Sequence, residues 1–388
     1  MNNKEFSLKN VSLNIFLVIV GMFSGAISFR LISKYKPEPI YSRLQIISKD
    51  YFKLIGRKKD ERFEIKEYEF KASELLNINK VDDIKSYRNG LRKFLFKSDN
   101  LTKDMPNKIS TISDKRFESL DNLLSITKLE INSDFKLNSI VYHFIPINNN
   151  KKFLIYHHGH KEGFIEAKEY INFFLKNGFN VLAYSMPNYG MNNQPVVKTK
   201  YNGFIKLDHH KKYFHLEEEG GINPLNVFVK PVIVGINYIE NYYGNSPINF
   251  LGFSGGGWSA TISAAVDTRI KNTFSVAGGL PISLLSAEDY GDYEMTNNLL
   301  YSKFNYLTLF TLATVDEHSK RNYYQIFNQY DPCCFGGLRW KKYENELSEL
   351  IKKISNDYFY IINDYKNYKH SISEETLSKI LDFINKNT

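Results

Sequence analysis

The run Asn249-Phe250-Leu251-Gly252-Phe253-Ser254-Gly255-Gly256-Gly257-Trp258 decides how this chain is read. It joins an apolar strand, Ile248 to Phe253, to a helical stretch, Trp258 to Val266. Within it stands Gly-x-Ser-x-Gly, as Gly252, Ser254 and Gly256. A serine on so sharp a turn has strained dihedrals and backbone pressing in from both sides, and glycines two residues before and after supply the room. The helix that follows aims unpaired N–H groups and a partial positive charge back at the serine. That is the environment a nucleophile needs when its attack creates an oxyanion.

Two other readings of the same glycines remain. Gly255-x-Gly257-x-x-Ala260 also fits a dinucleotide-binding turn, which calls for an acidic residue about 20 positions on, at the end of the next strand. Ser275-Val276-Ala277-Gly278-Gly279 occupies that place without a carboxylate, and the turn lies deep in the chain rather than in its first strand–helix unit. A plain tight turn with a spectator serine is the second alternative.

Working outward, short apolar runs alternate with helical stretches. Leu124 to Ile131 and Ile140 to Phe144 read as an antiparallel hairpin around Ser133-Asp134-Phe135. Strands follow at 153–156, 180–184, 248–253, 273–277, 324–328 and 358–362. Helices lie at 166–176, closed by Asn177-Gly178, then 225–243, 258–266, near 341–355 and at 373–386. Strands alternating with helices predict an α/β fold: a mostly parallel, doubly wound sheet with helices on both faces. Residues 186–222 and 281–320 interrupt the alternation and read as insertions, the latter over the sheet edge. Residues 30–118 form an N-terminal extension without catalytic spacing, ahead of a domain spanning 119–388.

The residues from about 122 to the C-terminus resemble the α/β-hydrolase superfamily, in its serine esterase and lipase branch. That resemblance implies the order nucleophile, acid, histidine. Asp331 follows the strand Tyr324 to Asn328 in the turn Gln329-Tyr330-Asp331-Pro332, where the family keeps its acid; Asp316 and Asp364 are the rivals. Only His318 and His370 follow Ser254, and His318 precedes the acid. His370, between the last strand and last helix, is therefore the expected general base. A serine hydroxyl near neutral pH needs such a base, and Asp331 would fix its tautomer. The Gly255 backbone N–H and that of His160, in His157-His158-Gly159-His160, are the expected oxyanion donors. The loop departs from the Gly-Gly-Gly form, and Ser185-Met186-Pro187-Asn188-Tyr189-Gly190 departs from the family's charged loop, so no subfamily follows.

The expected activity is cleavage of an acyl bond, a carboxylic ester first, through an acyl-enzyme. A peptidase or acyltransferase on the same scaffold, or a non-catalytic binding protein, stay open. Tyr189, Tyr201, Phe204, Phe304 and Tyr306 are candidates to line a pocket for an apolar or sugar-bearing acyl substrate. No cofactor is expected. No metal is expected either, because His157, His158 and His160 at a strand end alternate between faces.

The chain has 388 residues, 43% of them hydrophobic, and a net charge of +9. The cations are interspersed with 42 acidic residues, which argues against a nucleic-acid partner. Cys333 and Cys334 are adjacent and cannot staple distant segments. From Val11 to Phe29 runs a 19-residue stretch without a charge, enough at about 1.5 Å per residue to span a bilayer core of about 30 Å. A single-pass anchor is favoured over a cleaved signal peptide ending near Ala26-Ile27-Ser28, since the run exceeds a usual signal core. Lys4 and Lys9 before it and Arg30, Lys34 and Lys36 after it leave the side of the catalytic domain open.

Overall fold

The structure is a computed structural model that describes residues 70–161, 163–217, 221–285 and 292–386. Contacts divide the chain between Glu61 and Arg62, and all described residues belong to the second unit. The apolar run 11–29 lies outside the described residues, among which no helix is long and apolar enough to cross a membrane.

Nine strands form one sheet: β1 (Lys108–Ile112), β2 (Leu123–Asn132), β3 (Asn138–Pro146), β4 (Phe153–His157), β5 (Asn180–Tyr184), β8 (Ile248–Phe253), β9 (Ile270–Val276), β10 (Asn322–Asn328) and β11 (Tyr358–Asp364). Their spatial order is β1-β2-β3-β5-β4-β8-β9-β10-β11. The first three strands pair antiparallel with one another, and β3 with β5. From β5 to β11 every pairing is parallel. A separate hairpin, β6 (Val196–Thr199) with β7 (Gly203–Lys206), sits in the segment 186–222. The helices are α1 (Val81–Phe96), α2 (Lys168–Lys176), α3 (Asn226–Tyr243), α4 (Gly255–Val266), α5 (Tyr306–Thr314), α6 (Glu344–Ile354) and α7 (Glu374–Lys386). One-turn helices lie at Tyr293–Thr296 and Asn298–Tyr301.

The parallel strands are apolar on both faces because both faces are covered. Phe153 and Ile155 of β4 join one buried cluster, together with α1, α3, α4, α5 and α6. Leu154 and Tyr156 turn the other way, into a second cluster with α2 and α7. The two-residue period of a strand thus sorts one sequence into two cores. Strand β1 gave no clear sequence signal because its side chains are largely exposed at the sheet margin, where alternation is weak.

Two features differ from the sequence reading. The segment 281–320 is not simply draped over an edge: it contains α5, the crossover between the neighbouring parallel strands β9 and β10. Helix α1, placed in an extension by sequence, packs in the same cluster as α4, the helix that follows Ser254. Arg88 of α1, almost fully buried, donates from Nε to the Ala265 carbonyl and from Nη2 to those of Leu312 and Val315. Arg92 donates from Nε and Nη2 to the Val266 carbonyl. These carbonyls belong to the last turns of α4 and α5, which lack intrahelical donors.

Candidate active site

Ser254 sits between β8 and α4 with φ 56° and ψ −125°, a conformation an L-residue adopts only when its surroundings enforce it. The surroundings are backbone. A Cβ at Gly252 would collide with the Gly256 carbonyl, and one at Gly256 with the His157 carbonyl at the end of β4. The Ser254 N–H donates to Val276 O of β9 at 2.8 Å, which ties the turn to the next strand. Gly255 is the first residue of α4, so its N–H has no acceptor one turn back within the helix.

Asp331, in the turn after β10, is buried, and its Oδ2 lies 2.7 Å from His370 Nδ1. Its Oδ1 accepts from the backbone N–H groups of Cys333 at 2.8 Å and Cys334 at 3.3 Å. A carboxylate so held requires a proton on Nδ1 and leaves Nε2 of a neutral ring as the acceptor. The ring of His370 packs at 4.7 Å, centroid to centroid, against Phe253, the residue before Ser254. Asn328 fixes the histidine's loop by donating to the carbonyls of Lys369 and Ser371. Ser254 and His370 line one cavity of about 540 Å³. Among the described residues no hydrogen bond joins Ser254 Oγ to His370, so the third link of the constellation is left open. Catalytic hydrogen bonds commonly tighten only when substrate is bound. Cys333 and Cys334 are paired with each other beside this cavity.

The loop after β4 forms the opposite wall. A Cβ on Gly159 would lie 2.7 Å from Ser254 Cβ and 3.1 Å from Oγ, so the backbone at 159–160 runs directly against Ser254. The preceding histidines leave the strand on opposite sides: His157 stacks on Tyr184, while His158 accepts or donates at 2.7 Å to the Tyr156 hydroxyl. Burial pushes both imidazoles down to about 4, so they are neutral at physiological pH.

Sequence reasoning missed the group beyond His160. Its Nε2 lies 3.1 Å from Glu294 Oε1 and 3.2 Å from His210 Nδ1, and His210 Nδ1 is 2.9 Å from Glu294 Oε2. Asp292 Oδ2 is 3.5 Å from His160 Nε2. Burial alone would raise the Glu294 carboxyl pKa, but the two imidazoles outweigh it and hold the carboxyl far below its usual range. Burial opposes charging of His160 as well; Glu294 and Asp292 overcome it and raise that imidazole. The only sequence signals were His209-His210 and Asp292-Tyr293-Glu294, in the two segments that break the alternation.

Of the aromatic residues expected at the pocket, Tyr189 alone lines the cavity. Tyr201 and Phe204 are exposed on the β6–β7 hairpin. Phe304 packs against Phe94, and Tyr306 stacks on Tyr301, because both belong to the core around α5. A second surface cleft, of about 660 Å³, lies at the other ends of the strands, near Ile248, Asn272 and Asn322. It is remote from Ser254, and ligand sites of open parallel sheets lie outside the carboxyl ends of the strands.

Sheet order, crossover helices and a strained serine at a strand-to-helix turn make this an α/β-hydrolase fold. No protein-family model and no curated protein matches the chain. Solved structures do. An acetyl xylan esterase from a Paenibacillus species is 12% identical with TM-score 0.53, over 82% of this chain and 98% of that one. Acetyl xylan esterase 1 from a Thermoanaerobacterium species is 14% identical with TM-score 0.48, over 81% and 97%. An esterase from Pyrococcus furiosus is 16% identical with TM-score 0.48, over 74% and 99%.

Proposed function

We propose that this chain is a serine hydrolase that cleaves carboxylic esters. Ser254 is the nucleophile, His370 the general base and acid, and Asp331 the residue that orients and charges the histidine. The observation that carries the reading is the 2.7 Å Asp331–His370 contact, made at the rim of the cavity into which the strained Ser254 opens. In the first step Ser254 Oγ bonds to the acyl carbon while its proton passes to His370 Nε2. The oxyanion is met by the N–H groups of Gly255 and His160. The tetrahedral intermediate then expels the alcohol, which takes the proton from His370. Water, deprotonated by the same ring, attacks the acyl-enzyme, and collapse returns the proton to Ser254.

The cavity lining combines the rings of Tyr170, Tyr189 and Phe253 with the polar groups of His160, Lys161 and Asp292, which suits an ester with both an apolar and a polar part. Acetylated carbohydrate is the first substrate class to test, in keeping with what two of the similar structures are named for. A fluorophosphonate probe should label the wild-type protein and not Ser254→Ala; labelling that survives in the variant removes Ser254 as nucleophile. The apolar run 11–29 supports a single-pass membrane tether. Fractionation of the full chain into detergent, against a deletion of that run, tests it: a wild-type chain found free of membranes rejects the tether.

A further inference from the structure

We propose that His160, His210 and Asp292, with the Glu294 carboxylate against both imidazoles, form a binding site for a zinc-type divalent metal ion close to Ser254. The inference does not depend on the esterase reading.

Ligand atoms of His160, His210 and Asp292 converge, and the Glu294 carboxylate lies against both imidazoles, one oxygen to each. The separations are 3.2 Å between the two imidazole nitrogens, 3.1 and 2.9 Å from these to the Glu294 oxygens, and 3.5 Å from His160 to Asp292. Ligand atoms of His160, His210 and Asp292 all lie within 4.8 Å of one another. A tetrahedral centre with metal–ligand bonds of about 2.0–2.1 Å has ligand-to-ligand edges of roughly 3.3 Å. The His160–His210 and His160–Asp292 separations, 3.2 and 3.5 Å, lie on either side of that edge length.

The protons support the same arrangement. His210 Nε2 lies 2.8 Å from the Pro187 carbonyl, which can only accept, so Nε2 carries hydrogen. In a neutral ring the Nδ1 lone pair then faces the carboxylate and the other imidazole, acceptor against acceptor. A proton on Nδ1, donated to Glu294, or a metal ion at the convergence point removes that conflict. A ligating imidazole whose outer N–H donates to a backbone carbonyl is the usual orientation at protein metal sites.

Burial and support add to the case. His210 and Glu294 are both fully buried, where a carboxylate needs a fixed counter-charge. Glu294 is also held in place from α4: Trp258 Nε1 donates to the Tyr301 hydroxyl at 2.7 Å, and that hydroxyl donates to the Glu294 carbonyl at 2.9 Å. His160 and Asp292 line the cavity shared with Ser254, which gives an ion a way in. Two imidazoles with carboxylates suit zinc or cobalt better than calcium or magnesium, which prefer oxygen throughout. The ligands come from the loop after β4 and from the segments 186–222 and 281–320. A bound ion would pin both segments over the cavity.

The test uses the full chain, freed of any affinity tag and stripped with chelator. Zn²⁺ is titrated against a chromophoric competitor, and Co²⁺ is followed by its visible absorption. The expected result is one tightly held ion per chain and an intense cobalt band of tetrahedral type. His210→Gln and Glu294→Gln should each weaken binding at least about tenfold, while His209→Gln, at the neighbouring exposed imidazole, should leave it unchanged. Absence of a stoichiometric site in the wild-type chain overturns the proposal, whatever the variants do. Binding that both site variants leave unaltered overturns it equally.

Discussion

Gly159 lies so close to Ser254 that the smallest side chain at 159 would press on the serine's own Cβ, 2.7 Å away. The approach joins two loops about a hundred residues apart in sequence and sets the Gly159 backbone against Ser254. Both neighbours of the clash are rigid: Ser254 by its backbone conformation, Gly159 by the end of β4. Gly159→Ala should therefore displace the donor loop rather than unfold the chain. Loss of one oxyanion donor costs about 10²–10³ in turnover, and that fall is the expected outcome in an ester-hydrolysis assay, with the thermal midpoint nearly unchanged.

Asp331→Asn separates geometry from charge. The amide oxygen can still accept from the Cys333 and Cys334 N–H groups, so the turn should keep its shape. Its NH₂ then faces His370 Nδ1 and forces that nitrogen to accept, which places hydrogen on Nε2 and leaves no base for Ser254. Turnover should drop on the order of 10³–10⁴ with KM little altered. A loss below tenfold would transfer the acid's role to another carboxylate, Asp364 being the rival at the start of the histidine's own loop.

What was legible in the sequence follows a physical divide. The strand, Gly-x-Ser-x-Gly and helix run was readable because strain, glycine spacing and a helix start all fall within ten residues. Asp331 and His370 were readable as candidates because each follows a parallel strand at its carboxyl end, where loops converge. Glu294 and His210 were not, since their pairing exists only after two irregular segments fold toward each other. The roles of Arg88 and Arg92 were hidden too. Their partners are backbone carbonyls, and nothing in sequence marks a carbonyl as short of a donor.

Arg88 makes a stability prediction that is distinct from catalysis. Burial drives its guanidinium down to about 10, a cost that the carbonyls of α4 and α5 and Asp316, at 3.5 Å, help to offset. Arg88→Leu keeps much of the volume but leaves the Ala265, Leu312 and Val315 carbonyls without this donor. Removing a buried partner of this kind costs about 1–3 kcal/mol for the groups left behind, and more when a charge is uncovered. Urea unfolding should show a loss of about 2–4 kcal/mol, on the same basis. Activity per folded molecule should be retained, because α1 touches neither Ser254 nor His370.

His143 gives the pH dependence of stability. It is fully buried on β3, between the Tyr238 hydroxyl at 3.2 Å and Asn180 Oδ1 at 3.2 Å, with the rings of Phe153 and Tyr243 beside it. Burial lowers its pKa to about 4, against an ordinary value of about 6.5 in the unfolded chain. Between those limits the unfolded state binds the extra proton, so stability is full above about pH 6.5 and declines as pH falls toward 4. The decline from this one residue is on the order of 3 kcal/mol. His157 and His158 act in the same direction. Denaturant unfolding of His143→Gln, measured across that window, should show a shallower slope than wild type. An identical slope would mean that the acid sensitivity resides in the other buried imidazoles.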